Sequence, residues 1–491
     1  MREKEIPSNT SPLEAERIQS ECGLFAAYLI DPRSVDIRSI SYQGGTDLQH
    51  RAEGSAGMWI SNGRYSASVR ELGTVAVAFQ EGRNVPELKN PKIGVLHTRY
   101  PTAGGSNHKP NIQPLSVDGI TLAHHGNLTN VPEIESRTGV FPKGGDFADS
   151  DSWIALNAIA KESGMSLAEK VVNAQKSFEG GWAFIVTDGK QIVASRDPNG
   201  IRPLSVAVLG EENNPKGFLL SVESCVFNKM EVSSFREVLP GETITVDDSG
   251  VKTVDINPKT QMSCIFEFVY MMRPDSEFLG EMVYKTRREA GHRLWKEAPV
   301  EIEEGEDLIV MPVPNSGRPS ALGYFHEAQK ELGLKVTYDE GLLSNAYFGR
   351  NFIKPTGQRR ANLKFYPIRE ILEDKIVVLV DDSIVRGDTT STLVEMCLNS
   401  GAKSVHERVA SPPIKHPCHW GVAMPTYEEL LANRIPEIKE REKYLGVSSL
   451  GHLSIDGLVR AVGVDKNKLC THCFDRKGPP LKKLGTVPLR E

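Results

Sequence analysis

Between residue 22 and about residue 255 the chain is broken into short apolar runs separated by turn-forming residues. The runs are "CGLFAAYLI", "TVAVAF", "IGVLHT", "WAFIVTDG", "QIVAS", "GFLLSVES" and "TITVDD". Segments of this length, rich in branched and aromatic residues and closed by Gly, Asp or Ser, predict strands. Apolar residues at helical spacing occur chiefly in "DSDSWIALNAIAKES" and "SLAEKVVNAQKS", which predict two helices. Strands with two helices set among them point to an α+β layered domain.

After "DINPKTQ" the pattern changes. "DLIVMPVP" and "KIVVLV" are uninterrupted apolar runs, as central parallel strands covered on both faces require. Each leads through a polar, glycine-containing loop into a helical pattern, "PSALGYFHEAQKEL" and "TTSTLVEMCLNSG". This predicts an α/β domain whose binding loops lie at the carboxyl ends of its strands. The boundary is expected between residues 250 and 265. No internal repeat or low-complexity segment is present.

Composition narrows the class. The 491 residues exceed what one hydrophobic core normally serves, and a 39% hydrophobic, 25% charged composition is that of a soluble globular protein. A net charge of −6 argues against nucleic acid as a partner. No apolar stretch reaches the roughly 18 residues that cross a bilayer, and the charged start lacks the apolar core of a secretory signal. A cytoplasmic location is expected. Seven cysteines, an odd number, do not suggest a disulfide framework, so the close pair in "LCTHCF" reads as metal or redox chemistry or as a chance spacing.

The most specific stretch is "KIVVLVDDSIVRGDTTSTLVEM", residues 375–396. A buried strand ends in Asp381 and Asp382, whose carboxylates suit ribose hydroxyls or Mg²⁺. Gly387 permits close backbone approach to a phosphate. Thr389, Thr390 and Ser391 offer hydroxyls, and their amides stand at the positive end of a helix. Taken more plainly, the same residues make an Asp turn followed by a Thr helix cap. No GxxxxGK[ST] motif is present.

The stretch resembles the phosphoribosyltransferase signature and, more closely, the glutamine phosphoribosylpyrophosphate amidotransferase family, whose loop reads VDDSIVRGTTS. "VMPVPNSGRPSALGYF" and "FVYMMRPDSEF" are similar to the same family. The resemblance implies a phosphoribosyl pyrophosphate site made of Asn315, Ser316, Gly317, Lys364, Asp381, Asp382, Ser383, Arg386, Gly387, Thr389, Thr390 and Ser391. Ser316, Asp381 and Asp382 would surround Mg²⁺, which neutralises charge on a diphosphate leaving group.

The first half then becomes legible. "ECGLF", "LQHRAEGSAG", "HTRYPTAG", "LAHHGNLTN", "SDSW", "RDPNGIRPLS" and "SVESC" resemble the glutamine-hydrolysing domain of the same family, an N-terminal-nucleophile hydrolase. Alone, Cys22 reads as a small core side chain. With the other motifs in order it reads as the nucleophile, freed by cleavage after Glu21. An α-amine with a pKa near 8 can take the thiol proton at neutral pH, whereas a peptide nitrogen cannot. By resemblance Arg99, Thr102 and Asp151 bind glutamine, and Gly126 with His125 forms the oxyanion hole. The implied fold is an α+β four-layer N-terminal-nucleophile hydrolase domain followed by an α/β phosphoribosyltransferase domain with a mostly parallel sheet. The implied division is a 1–21 propeptide, a 22–258 glutaminase domain, a 259–465 phosphoribosyltransferase domain and a 466–491 tail.

Cys264, Cys418, Cys470 and Cys473 match contexts in which one branch of the family holds an iron–sulfur cluster. Four thiolates suit [4Fe–4S] or zinc chemically, and the resemblance favours the cluster. It would tie the tail to the second domain. Cys225 and Cys397 read as core residues.

The match departs at several positions. His125 replaces an asparagine, and Trp153 a glutamate. Asn315 replaces an aspartate, Ser344 and Ala346 stand where the family has two cations, and Asn362 replaces an arginine. Asp388 is inserted beside the expected phosphate. Three lost charge-assisted contacts would amount to roughly 4.5–9 kcal/mol, over a thousandfold in affinity. Arg350, Lys354, Arg359 and Arg360 lie nearby in sequence.

The leading expectation is synthesis of 5-phosphoribosylamine from glutamine and phosphoribosyl pyrophosphate, the entry to purine synthesis. Internal ammonia transfer, purine-nucleotide inhibition and a homotetramer are implied by resemblance. The alternatives are a divergent glutaminase with another acceptor, or a nucleotide-binding homologue with an impaired second site.

Overall fold

The computed structural model describes residues 22–99, 109–141, 148, 150–344, 365–422, 424 and 426–481. The chain forms two compact units. The first comprises residues 22–265, His419–Gly421 and 465–481, and the second Phe266–Cys418 and Val422–Val464.

In the first unit the strands are β1 (Gly23–Leu29), β2 (Ser55–Ser61), β3 (Ser66–Leu72), β4 (Ile93–Arg99), β5 (Leu115–Val117), β6 (Ile120–Leu128), β7 (Gly180–Thr187), β8 (Ile192–Arg196), β9 (Ser205–Glu211), β10 (Asn214–Ser221), β11 (Val232–Glu237), β12 (Glu242–Asp247) and β13 (Gly250–Ile256). Among the described residues, they build two antiparallel sheets with the orders β11-β9-β10-β1-β4-β2-β3 and β13-β12-β8-β7-β6-β5. Every residue of β1, β2 and β4 is buried, because these central strands are covered on both faces. One core cluster joins Leu24, Ala26 and Leu219 of the first sheet to Ala123, Ala183, Ile185 and Ile244 of the second. Helices cover the outer faces. α1 (Ile37–Asp47) packs on β1 and β4, and α3 (Asp151–Lys161) and α4 (Leu167–Gln175) pack on the second sheet. The result is the four-layer N-terminal-nucleophile architecture.

Two local expectations are corrected. "TVAVAF" is not a strand: Val75–Ala78 is a short helix (α2), capped by Thr74, whose side chain accepts from the Val77 amide. Helix α1 was hidden by Gly44 and Gly45, residues that disfavour helices in isolation. Both are needed here, since a Cβ would meet the Phe25 ring at 2.6 Å and Leu96 Cδ2 inside contact distance.

The tail segment 465–481 packs with the first unit, not the second. Strand β14 (Ser263–Cys264) and the distant Leu469–Cys470 pair in parallel, with Cys264 opposite Cys470.

In the second unit, β15 (Leu308–Pro312), β16 (Val336–Tyr338), β17 (Ile376–Asp381), β18 (Ser404–Val409) and β19 (Ser449–His452) form a parallel sheet in the order β16-β15-β17-β18-β19. Helix α5 (Arg318–Leu332) follows β15, and α6 (Asp388–Asn399) follows β17. Because Pro312 is paired with Val380, the loops leaving β15 and β17 emerge side by side. The Val313 amide donates to Val380 O at 2.9 Å, and a Cβ on Gly317 would collide with the same carbonyl. Cys225 and Cys397 belong to the two cores, as expected.

Candidate active sites

Cys22 stands partly buried at the head of β1. The register that pairs Gly23 with Thr98 brings this end of β1 to the Arg99 end of β4. The Gly23 amide donates to Thr98 Oγ1 at 3.0 Å, and a Cβ at Gly23 would lie 2.6 Å from that oxygen and 2.7 Å from Leu48 Cβ. The residue after the thiol must therefore be glycine for the strand to seat. Arg99 is buried, as one fixed guanidinium for a carboxylate would be.

On β6, Gly126 adopts φ 138°, and a Cβ there would collide with Gly181 O. Only glycine can hold this backbone. Asp151 opens α3, where its Oδ1 accepts from the Ser152 amide at 2.8 Å and its Oδ2 from the Leu128 amide at 3.1 Å. Trp153, two residues on, packs partly buried against the core beneath α3.

Three buried histidines surround this region. His97 Nε2 donates to His124 O at 3.0 Å, and burial pushes His97 down to about 3. His124 Nδ1 lies 3.0 Å from Ser152 Oγ and 3.6 Å from Asp151 Oδ2; burial still holds it below the ordinary histidine value. Gln113 ties the group together, accepting from the His124 amide at 2.6 Å and donating to Ser152 Oγ at 3.1 Å.

His125 is fully buried, and burial, followed by the charges of Arg51 and Arg202, keeps it well below its usual value. Its Nε2 lies 3.4 Å from Arg51 Nη2. A guanidinium can only donate, so His125 Nε2 accepts and the proton sits on Nδ1. Nδ1 has no hydrogen-bond partner among the described residues. Arg51 is itself paired through Nη1 with the buried Glu223, which also meets His50 Nε2 at 2.8 Å and the Cys225 thiol at 3.5 Å. Arg51 and Glu223 lie within the quoted motifs but were given no role from sequence. Their 172-residue separation hides the pairing.

In the second unit an open cleft is walled by Tyr270, Val313, Ser316, the run Asp381–Val385, Gly387, Thr389 and Thr390. Asp381 Oδ1 accepts from the Asp382 amide at 2.8 Å, and Ser383 Oγ donates to Asp382 Oδ1 at 2.6 Å. The structure thus gathers Ser316, Asp381, Asp382, Ser383, Gly387, Thr389 and Thr390 at one cleft. Other expected residues are placed differently. Asn315, after a cis Pro314–Asn315 peptide, is exposed. Ser391 Oγ donates to Asp388 O at 3.0 Å, and Arg386 Nη2 pairs with Glu429 Oε1 at 2.8 Å. Tyr270 was missed by sequence reasoning, although "FVYMMRPDSEF" had been singled out. Ser344 ends a short strand paired with Phe365. Thr102, Lys364, Ala346, Asn362 and the cations at 350, 354, 359 and 360 lie outside the described residues, as does the expected 1–21 propeptide.

Two carboxylates and a hydroxyl are hard oxygen donors, so Asp381, Asp382 and Ser316 fit Mg²⁺ held jointly with substrate phosphates. Cys264, Cys470 and Cys473 are buried. They have the soft donors of a cluster or zinc site, but among the described residues no three His, Cys, Asp or Glu side chains are arranged to hold a metal ion. Thus the cysteines match in donor type and not in arrangement. No described helix is long and apolar enough to cross a membrane.

A sheet sandwich headed by a cysteine, joined to a parallel sheet bearing a phosphate-type loop, defines a glutamine amidotransferase fused to a phosphoribosyltransferase. Residues 100–223 match the model of the glutamine amidotransferase domain family. The chain is 34% identical to the amidophosphoribosyltransferase of Mycobacterium bovis, covering 94% of this chain and 86% of the relative. Identity is 36% to that of Rhizobium etli, with coverages of 92% and 89%, and 32% to that of Bacillus subtilis, with 95% of each. A solved structure described as the allosteric regulatory enzyme of purine biosynthesis aligns with a TM-score of 0.83 at 31% identity, over 95% of this chain and 98% of that one. The B. subtilis glutamine phosphoribosylpyrophosphate amidotransferase complexed with ADP and GMP aligns with a TM-score of 0.82 at 31% identity, over 95% and 99%. The chain belongs to the amidophosphoribosyltransferase family.

Proposed function

We propose that the protein transfers the amide nitrogen of glutamine to phosphoribosyl pyrophosphate, giving 5-phosphoribosylamine, glutamate and pyrophosphate, the first step of de novo purine synthesis. The observation that carries this reading is the cleft walled by Ser316, Asp381, Asp382, Thr389 and Thr390 in the same chain as the Cys22 site.

After removal of residues 1–21, the Cys22 α-amine takes the thiol proton and the sulfur attacks the glutamine amide carbon. Arg99 pairs with the substrate α-carboxylate, Asp151 with its α-ammonium, and Thr102 completes the grip. The Gly126 amide and the His125 Nδ1–H donate to the oxyanion. A neutral Nδ1–H donor is what the Arg51 contact leaves on that ring. As the tetrahedral intermediate collapses, the amine returns its proton to the leaving nitrogen, ammonia departs, and water cleaves the thioester to glutamate. Ammonia then forms the bond to C1 of the ribose as the bond to pyrophosphate breaks.

At the second site Asp381 and Asp382 orient the ribose diphosphate, and Ser316 and Gly317 meet its pyrophosphate. Gly387, Thr389 and Thr390 meet the 5-phosphate at the α6 amino terminus, and Ser391, whose hydroxyl donates to Asp388 O, supports that turn. Asn315, Lys364, Ser383 and Arg386 keep supporting roles in this reading. Mg²⁺ held by Asp381, Asp382 and Ser316 would neutralise charge on the departing diphosphate. A [4Fe–4S] cluster on Cys264, Cys418, Cys470 and Cys473 would have to draw these thiols together as it formed, since among the described residues they are not arranged for a metal ion beforehand, and would then act as a structural brace. It is supported by the Cys264–Cys470 register and is testable by iron and sulfide analysis of anaerobically purified protein. The B. subtilis relative solved with ADP and GMP supports purine-nucleotide inhibition. A cytoplasmic homotetramer completes the proposal.

The test is to incubate processed protein with glutamine, with and without phosphoribosyl pyrophosphate, and follow both products. Equal glutamate and pyrophosphate, dependent on the sugar phosphate, is the expected result. Glutamate without pyrophosphate would point to a different acceptor.

A further inference from the structure

Asp388 places a carboxylate inside the phosphate loop, between Gly387 and Thr389. Left to itself, an acid in the first turn of α6 would turn toward the helix-terminal amides and compete with a phosphate for them. The structure shows a different arrangement. Gly387, Thr389 and Thr390 wall the cleft, and Asp388 is not among its lining residues. Asp388 Oδ1 accepts from the Tyr444 hydroxyl at 2.9 Å, on the helix α7 (Ile438–Leu445).

Tyr444 is itself held against the loop. The Arg434 guanidinium lies 4.9 Å from its ring centroid, and Arg434 Nη2 donates to Arg386 O at 3.0 Å. Gly387, at φ 91°, leaves room for the ring: a Cβ there would lie 3.5 Å from Tyr444 Cε1, 2.9 Å from Leu431 Cδ2 and 3.0 Å from Leu445 Cδ2. Burial, and then the hydrogen bond to Asp388, push the phenol above its ordinary value of 10.0, so it remains a donor throughout the neutral range. The loop is thus braced by residues that do not themselves line the cleft.

We propose that Tyr444 is a positioning residue for the phosphoribosyl pyrophosphate reaction, holding the Asp388 carboxylate toward α7 and off the phosphate-facing amides and hydroxyls of Gly387–Thr390. This rests on the reading that the cleft takes phosphoribosyl pyrophosphate. It also explains how a negative charge can be tolerated inside a phosphate loop.

The experiment is a double-mutant cycle on the full chain, with ammonia as nitrogen donor so that the Cys22 site plays no part. Tyr444→Phe keeps the ring and removes the hydroxyl. It is expected to raise KM for phosphoribosyl pyrophosphate on the order of threefold to tenfold, the size of one partly screened charge repulsion. Its kcat should stay within about twofold, the pattern of a loss in ground-state binding. Asp388→Asn should bind the substrate at least as well as wild type, and adding it to Tyr444→Phe should restore KM. An unchanged KM in Tyr444→Phe would overturn the proposal, as would a raised KM that persists in the double variant. A wild-type protein that binds no phosphoribosyl pyrophosphate in direct titration would instead overturn the underlying reading of the cleft, and this proposal with it.

Discussion

Around Cys22, the titratable groups are shut inside a sheet sandwich. His97, His124 and His125 are buried, and burial holds all three neutral. At the Asp381–Thr390 loop the polar groups instead stand at an open cleft, where the carboxylates of Asp381 and Asp382 and the hydroxyls of Ser316, Ser383, Thr389 and Thr390 share the wall with Val313, Ile384 and Val385. The difference follows from what each substrate brings. A neutral amide develops charge only in the transition state, so fixed donors in a dry site act where they are worth most. A diphosphate arrives fully charged and hydrated, so its site needs cations and exchangeable oxygen ligands rather than burial.

The comparison breaks most severely at the thiol. Cys22→Ala should abolish glutamine-dependent turnover by at least ~10³-fold while sparing ammonia-dependent synthesis, measured by pyrophosphate release with each donor. Loss of both activities would show that the two units do not work on separate substrates. Next, His125→Ala should lower glutamine hydrolysis roughly 10²–10³-fold, as removal of an oxyanion donor does. His125→Asn should recover part of that loss, and ammonia-dependent rates should hardly change. Equal rates for wild type and His125→Ala would leave Gly126 as the donor in this account.

Stability should separate the units through pH. His97 is neutral in the fold and protonates below 6.5 when unfolded, so its contribution is present above pH 6.5 and lost as pH falls toward about 3. The slope is at most ~1.4 kcal/mol per pH unit for one such group. In the second unit, Glu407 on β18 has the opposite sign. Its carboxyl is fully buried, both oxygens lack partners among the described residues, and burial, then Asp381, raises it well above 4.5. It stays protonated in the fold and ionises when unfolded, so its contribution is present below pH 4.5 and is lost as pH rises. Glu407→Leu should therefore stabilise the protein by about 1–3 kcal/mol, more at pH 8 than at pH 5, in denaturant unfolding. Destabilisation at pH 8 would mean that Glu407 has a partner in solution.

The smallest effect is expected at Arg386. Its pairing with the half-exposed Glu429 should contribute only ~0.2–1 kcal/mol, so Glu429→Gln should leave stability nearly unchanged.

Sequence reasoning worked where local pattern and burial agree. "IVVLV" within "KIVVLV" is apolar throughout because β17 is covered on both faces, and the Asp381–Thr390 loop is contiguous, so its chemistry could be read directly. It failed where tertiary contact overrides propensity. Gly44 and Gly45 break a helix pattern that Phe25 and Leu96 require, and "TVAVAF" is a short apolar run like a strand although Thr74 caps a helix. In the glutaminase site the motifs were visible, but the Arg51–Glu223 pair and the Gln113–Ser152 link join residues far apart in the chain. Tyr444 answers the charge of Asp388 from 56 residues away, which no local pattern reports.

The central claim is that a liberated Cys22 amine makes its own sulfur the nucleophile. Purified protein should be resolved by intact mass into chains beginning at Cys22 and chains retaining the preceding residues, and each pool assayed for glutamine hydrolysis. Activity confined to chains that begin at Cys22 is the expected result. Equal hydrolysis by chains that still carry Glu21 would contradict it.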